Sequence, residues 1–396
     1  MKTYIITGAT GFLGKRLVRH LLMNGHCMIL LVRGENRKIA EGRISKLFNF
    51  NESESRRIHT FDCDTRYLDK IFENQEFQEI IATHTISGIW HLAANISFRS
   101  KDKDVVHDTN VTGTQSVARF AKALNVPLFH VSTAYVHGKK DGFLEEDALI
   151  TTRFNNHYEH SKFISERHLR NEIKGGLQCL IFRLGNLIDV APEYNVKDTF
   201  GYYAILEAVH DLSVALRNFI YRYPILSRIF GFRIDALGVV HSTFIPFVVA
   251  RVFINLVPVG VAISVMEHIT NIKDKVESDT FQVVSTNALS MREIAVITFD
   301  ELKVRIPIIT LPQMLVSMIF KFIYVLSRVF PPFIGLSKKL HYYGYYMTNT
   351  YRFDTTRIEK VYGREQYRNL FKHSSSDLRN ASRSFVIHKR TPLSNN

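Results

Sequence analysis

Residues 3–23 constrain this chain more than any other stretch. Thr3 to Thr7 (TYIIT) has the pattern of a short buried strand, Gly8-Ala-Thr-Gly11-Phe-Leu-Gly14 follows, and Lys15 to Met23 carries helical apolar spacing. Strand, glycine turn and helix in that order are the context a dinucleotide fingerprint needs. Gly8 permits the tight turn, Gly11 lets backbone approach a pyrophosphate, and Gly14 allows close helix–sheet packing, with the helix N-terminus facing the phosphates. Thr7, Phe12 and Leu13 flank these glycines and belong to the same candidate cofactor loop. The plainer alternative is a glycine-rich turn with no ligand.

The pattern continues for six strands. Cys27 to Val32 reads as the second, followed by Arg33, where an NAD-specific site usually shows an acid for the ribose hydroxyl. An arginine there suits a 2′-phosphate; Arg37, Lys38 and Arg43 add positive charge, and a solvated basic helix start is the alternative. Ile58 to Asp62 is a third strand, with Asp62 placed to meet adenine or to cap a loop. Gly88 to Ala94 is a fourth, ending in the small residues Ala93 and Ala94 beside which a cofactor can lie. A long helix, Asp104 to Leu124, carries Asn110. Leu128 to Thr133 is a fifth strand ending in the hydroxyls of Ser132 and Thr133, and Cys179 to Leu184 is a sixth, followed by Gly185 and Asn186. Strands alternating with helices imply an α/β fold, a Rossmann-type doubly wound parallel sheet covered on both faces. The division expected is a cofactor domain over 1–195 and a smaller, mostly helical substrate region over 196–396, with about 255–285 returning to the sheet.

In the segment Asn155 to Asn171, which reads as a helix, Tyr158 stands four residues before Lys162. Positions four apart share a helix face. The ammonium is expected to lower the pKa of the phenol, making Tyr158 a proton donor and acceptor near neutral pH. Tyr-x-x-x-Lys alone also describes many ordinary exposed pairs. Hydrophobic residues are 46% of the chain and charged residues 22%, enough to bury a core. The formal charge of +14 points to acidic partners: phosphorylated cofactors, an acidic carrier or an anionic membrane surface. No basic-aromatic nucleic-acid module is visible, and Cys27, Cys63 and Cys179 suit no metal site; they read as reduced thiols of a cytoplasmic protein.

TGATGFLG (7–14), HLAA (91–94), NVTGT (110–114), VSTAYVHG (131–138), YEHSK (158–162) and FRLGN (182–186) together resemble the extended short-chain dehydrogenase/reductase superfamily. HLAANISF, VSTAYVHG and FRLGNLI are most similar to its thioester reductase and fatty acyl-CoA reductase (male-sterility type) branch. The resemblance implies roles. Tyr158 would be the acid, Lys162 would hold the nicotinamide ribose, Thr133 would polarise the carbonyl with Ser132 as fallback, and Asn110 would position a relay water. Gly8, Gly11 and Gly14 would hold pyrophosphate, Arg33 would select NADPH, Asp62 would meet adenine and Ala93 would line the groove. Asp189 stands where this family often has glycine, and Gly260 replaces an acid after Asn255-Leu-Val-Pro-Val259, where the chain returns to the cofactor domain.

In the second half, Ile245 to Met266 is almost wholly apolar, but Pro246, Arg251, Asn255, Pro258 and Gly260 argue against a membrane span. Phe281 to Ser285 and Met291 to Ile294 read as a further strand and helix. Gln313 to Phe330 is a helix with one narrow polar stripe, Gln313, Ser317, Lys321, Tyr324 and Arg328. Three readings stand: a core helix, a wall of an acyl channel, or a helix in a membrane interface. Ser374 to Asn396 is polar and basic and is expected to be a disordered tail. The function expected is NADPH-dependent reduction of an acyl thioester, on CoA or an acyl carrier protein, in the cytoplasm or at a membrane periphery. The rivals are a dehydrogenase or epimerase of a sterol or sugar nucleotide, and a non-catalytic cofactor sensor.

Overall fold

In the computed structural model the described residues are 1–396 except 141, 147, 148, 150–152, 191–199, 277, 278, 327, 329–333 and 391–396. A seven-stranded parallel sheet forms the centre. Its strands are β1 (Thr3–Thr7), β2 (Cys27–Val32), β3 (Ile58–Asp62), β4 (Ile86–His91), β5 (Leu128–Thr133), β6 (Cys179–Leu184) and β7 (Thr280–Val283). In space they run β7-β6-β5-β4-β1-β2-β3. The winding direction reverses between β1 and β4, which opens a crevice at the carboxyl ends of those strands. Successive residues of β1 serve opposite faces: Tyr4 and Ile6 pack with Trp90, Phe129 and Phe182, while Ile5 packs with Phe61, Phe120 and Leu169. Both faces are buried, so the central strands are continuously apolar.

The helices that position the site are α1 (Phe12–Met23), α2 (Arg37–Ser45), α3 (Gly113–Leu124), α4 (His157–Lys174), α5 (Tyr202–Arg222), α6 (Pro224–Ile229), α7 (Val259–Asn271), α8 (Met291–Glu301), α9 (Gln313–Leu326), α10 (Ile334–Thr348) and α11 (Ser374–Arg390). The apolar run at 245–266 does not span anything; it divides into short strands at Phe247–Ala250, Phe253–Ile254 and Leu256–Pro258 and the start of α7. No described helix is long and apolar enough to cross a membrane. Leu256–Pro258 pairs in parallel with Asn186–Ile188, which brings the chain back to the cofactor half before β7 joins the sheet beside β6.

Two expectations are revised, and one departure from the family pattern is accounted for. The polar C-terminal stretch is not a tail up to residue 390: it forms α11, because Leu378, Ala381 and Phe385 recur at helical spacing and are buried against α8. Ser382 of α11 hydrogen-bonds the Tyr202 hydroxyl at 2.7 Å, and Arg379 and Arg383 pair with Glu301; residues 391–396 lie outside the described residues. Asp189, unusual for its place, is absorbed by Arg16 of α1, whose Nε donates to it at 2.8 Å in a buried ion pair. The helix expected at 313–330 gives only one side to the core, and none of its described residues lines the cavity. Its inner face is satisfied by Val316 and by Phe320, whose ring lies 3.2 Å from where a Cβ on Gly344 of α10 would sit. Its outer face exposes Met314, Met318, Phe322 and Val325. Residues 327, 329 and 330 of that stretch lie outside the described residues.

Candidate active site

A cavity of roughly 360 Å³ opens at the crevice between β1 and β4. Its floor is the glycine loop: Gly8, Gly11, Phe12, Leu13 and Gly14 all line it. Gly8 has φ +79°, and a Cβ there would stand 2.5 Å from the backbone N of Ala93. Gly8 is therefore fixed by both conformation and contact, and Ala93 matters as backbone packed on it. A Cβ on Gly11 would meet only the carbonyl oxygen of Gly8, at 3.3 Å, so its other side is open. Helix α1 begins there with no side chain capping its first amides and no acid in its first turn. Open backbone beside bare amides is what a pyrophosphate requires, so the residues present fit a dinucleotide. Ala94, Gly185 and Asn186 line the same groove, while Thr7 lies beneath it, its hydroxyl bonded to His91 Nδ1 at 2.8 Å.

Arg33 follows β2 and Asp62 ends β3, side by side in the sheet, and neither lines the cavity. Arg43 ties this corner together: it donates to the Arg33 carbonyl oxygen and, at 3.3 Å, to the hydroxyl of Thr10 in the glycine loop. Arg37 turns away, paired with Glu41 and Glu76.

On the other side stand Thr133, at the end of β5, and Tyr158 and Lys162, on the first turns of α4. Asn156 caps this helix, accepting from the Glu159 amide at 2.9 Å. Thr133 hydrogen-bonds the Tyr158 phenol, and Ser132 instead donates to Glu166 at 2.5 Å, so the register favours Thr133 over its neighbour. The expected effect of Lys162 on Tyr158 is not found. Burial pushes the phenol above its ordinary value and the charge of Glu159 adds to this, against the Thr133 hydrogen bond. Lys162 Nζ donates to the Val131 carbonyl oxygen at 2.8 Å. Burial brings its ammonium down to about 8, with Glu166 opposing the loss of charge.

Asn110 does not line the cavity; it occupies a π turn, Asp108–Thr112, that interrupts the expected long helix. Its Nδ2 donates to the Asn95 carbonyl oxygen at 2.9 Å and to Ser161 at 2.8 Å, and its Oδ1 accepts from the Asn95 amide. Its carbonyl oxygen accepts from Thr114 and Ser165. These bonds make it a strut between the strand-β4 loop and α4.

A family profile described as male sterility protein matches residues 6–219, just over half of the chain. The chain belongs to this family. Male sterility proteins of this type carry an NAD(P)-binding domain of the extended short-chain dehydrogenase/reductase fold. The chain is similar to a hybrid PKS-NRPS synthetase, pydA, of Acremonium sp. (30% identity over 224 residues, 53% of this chain but 5% of that protein). It is also similar to fatty acyl-CoA reductase 2 of Mus musculus (28% identity over 148 residues, 34% of this chain and 28% of that one). The matched part is thus a small share of each relative. Among solved structures, the terminal R domain of the myxalamid PKS-NRPS pathway superposes with a TM-score of 0.71 at 19% identity, covering 98% of this chain and 91% of that one. A UDP-galactose 4-epimerase gives 0.59 at 15%, covering 98% and 100%.

Several residues of the candidate site escape a motif reading. Phe98 is 6.1 Å from the Tyr158 ring centroid and within 5.5–6.0 Å of Tyr343 and Tyr346 of α10, so one aromatic ring joins the reacting end to the second half. Tyr346 donates to Glu159 and accepts from Asn156 at 2.7 Å, which docks α10 on the start of α4. Glu166, one turn beyond Lys162, is fully buried with Arg183 of β6, which donates to it at 2.7 Å. The i, i+4 spacing from Lys162 was the available signal for Glu166; the tyrosine-rich run 342–346 was the signal for α10.

Proposed function

We propose that this protein is an NADPH-dependent reductase of an acyl thioester, carried on CoA or an acyl carrier protein. The observation that carries the reading is the wall of the cavity beyond Tyr158. Ile96, Phe98, Phe200, Ile205, Leu256 and Met347 line it together with Tyr343 and Tyr346, a mainly apolar surface with no charged side chain of its own, suited to an acyl chain. The similarity to a fatty acyl-CoA reductase supports the same class. Residues 1–195 supply the cofactor groove, and the region from 196 supplies most of this wall.

Bound at the glycine loop, NADPH supplies the hydride for the thioester carbonyl. Negative charge then develops on the carbonyl oxygen, where Thr133 and Tyr158 are the donors that stabilise it. A phenol held above its ordinary pKa keeps its proton at neutral pH, so Tyr158 serves as acid. Lys162 supplies positive charge beneath the site and orients the nicotinamide ribose, with Asn110 and Ser161 steadying the helix that carries it. Collapse of the tetrahedral adduct releases the thiol and leaves an aldehyde; going on to the alcohol would take a second NADPH and a second proton. No cysteine acts as nucleophile: none lines the cavity, and burial pushes the Cys63 thiol up to about 12.

NADPH oxidation measured against acyl-CoAs of graded chain length, with product identification, tests the reading. Turnover of only sterols or nucleotide sugars would replace it with the dehydrogenase or epimerase alternative. Cofactor choice is tested separately. A charge-assisted hydrogen bond is worth roughly 1.5–3 kcal/mol, so Arg33→Ala should weaken NADPH about tenfold to a hundredfold and leave NADH nearly unchanged. Arg37→Ala should leave the ratio of affinities alone, since Glu41 and Glu76 already hold that side chain. Equal losses for both cofactors at Arg33 would make it structural.

Lys162 predicts the alkaline limb of the pH profile. Its charged form is the working one and its pKa is lowered to about 8, so kcat/KM should fall as pH rises above 8. Lys162→Arg, which cannot lose its charge in this range, should retain some turnover and lack that limb. An unchanged limb in this variant would assign it to another group.

A further inference from the structure

Two stretches of the second half contain no acid at all. Asp211 and Asp235 bracket the first, which holds Arg217, Arg222, Arg228 and Arg233; Glu301 and Asp354 bracket the second, which holds Lys303, Arg305, Lys321, Arg328, Lys338, Lys339 and Arg352. Both also present large apolar side chains to solvent. On α9, Met314, Met318, Phe322 and Val325 fall at spacings of four, four and three, hence on one face, and are between 57% and 72% exposed. Around α6, Tyr221, Ile225, Ile229 and Phe244 are between 65% and 77% exposed. Scattered exposed apolar residues are ordinary, but contiguous ones on two elements mark a binding surface.

One stretch of chain leads from the second patch to the first. The Phe244 ring lies over Gly231 at the end of α6, 2.6 Å from where a Cβ would be. The strand Phe247–Ala250 begins three residues later and packs under α9. We infer that α9 and the α6–Phe244 region together form a docking surface for an anionic lipid bilayer.

The arrangement favours lipid over an acidic protein partner. The centre of the α9 face is thioether, phenyl and isopropyl groups, with Lys321 and the exposed Arg328 at its margin, and Arg328 lies over the Tyr324 ring at 5.3 Å. Arg222 lies over Tyr223 in the same way, at 5.6 Å. Apolar side chains that project from a convex helix can sink among acyl chains while neighbouring cations reach back to phosphates. Aromatic rings paired with arginine suit the headgroup level. The position is useful as well. The inner face of α9 packs on α10, and α10 gives Tyr343, Tyr346 and Met347 to the cavity, so the lipid-facing layer is one helix removed from the site. The inference does not rest on the acyl-thioester reading, and its test does not use turnover.

The test is co-sedimentation of the whole protein with phosphatidylcholine vesicles made with and without phosphatidylglycerol. Wild type should pellet with the anionic vesicles at low salt and leave them at high salt. Phe322→Ser with Val325→Ser, and Ile225→Ser with Ile229→Ser, preserve net charge and touch no residue of the cavity. Each pair should lower partitioning by about tenfold or more, and the four together should abolish it, with thermal unfolding and dinucleotide binding unchanged. Wild type remaining in the supernatant at low salt overturns the inference. So does equal pelleting of the serine variants, which would reduce the effect to net charge. A wild-type dimer that Phe322→Ser converts to monomer, or loss of acyl carrier protein binding with vesicle binding intact, would assign the surface to a protein instead.

Discussion

Tyr158→Phe is expected to lower kcat by about 10²–10⁴-fold while leaving NADPH affinity within a few-fold of wild type. The ring survives the change, so its contact with Phe98 at 6.1 Å and the wall of the cavity are kept; only the proton and the Thr133 hydrogen bond go. The expectation follows from where the hydroxyl stands. It meets Thr133 at the point where the glycine loop and the apolar chamber converge, so both donors to a developing oxyanion are lost or misdirected together. Single-turnover kinetics with NADPH bound separate this from a binding defect. A Phe variant that reduces substrate at near wild-type rate removes Tyr158 from the chemistry and leaves Thr133 as sole donor.

The second large effect is on stability. Arg183→Met should cost about 3–5 kcal/mol, read as a lower denaturant midpoint at unchanged slope. Arg183 and Glu166 are both fully buried, and Arg183 also donates to the Glu146 carbonyl oxygen at 2.8 Å. Removing the guanidinium leaves the buried carboxylate of Glu166 without its counter-charge, with the Ser132 hydroxyl still donating to it. The penalty belongs to the orphaned charge rather than to the lost pair. Replacing Glu166 by Leu in the same chain should therefore recover a large part of the loss. If the double variant is as unstable as the single one, the pair is net stabilising. The pair clamps α4, which carries Tyr158 and Lys162, to β5 and β6, so partial loss of activity should accompany the loss of stability.

The cofactor half was legible because its signals are local. A glycine run after a buried strand fixes the turn, the helix start and the open backbone within a dozen residues. Arg33 was visible for the same reason, as the residue following a strand. What was not legible depends on distant partners. The phenol of Tyr158 was expected to have its pKa lowered by Lys162, four residues away, but burial by Phe98 and other surroundings outweighs any such effect. Asn110 was read as part of a proton relay, yet Asn95, Ser161, Thr114 and Ser165 take its hydrogen-bonding groups. Residues 374–390 looked like a tail because five apolar residues among twelve polar ones are a weak signal. They form a helix because α8 offers a face for Leu378, Ala381 and Phe385. The stripe on α9 was read from the right residues, but the sequence could not say that α10 would satisfy the opposite face and leave the apolar one to solvent.

The position of β7 in the sheet bears on how the chain is made. β7 pairs with β6, yet about 100 residues separate the end of one from the start of the other. At roughly 5–20 residues per second, a ribosome needs on the order of 5–20 s to supply the missing strand. During that interval the cofactor half can fold around its glycine loop, but β6 remains an open edge of paired-strand donors and acceptors, the kind of edge that recruits other chains. Residues 3–184 hold the glycine loop and strands β1–β6 without holding β7. Nascent chains of this protein should therefore depend on a holdase, or on rapid synthesis, during the seconds before residue 283 clears the exit tunnel.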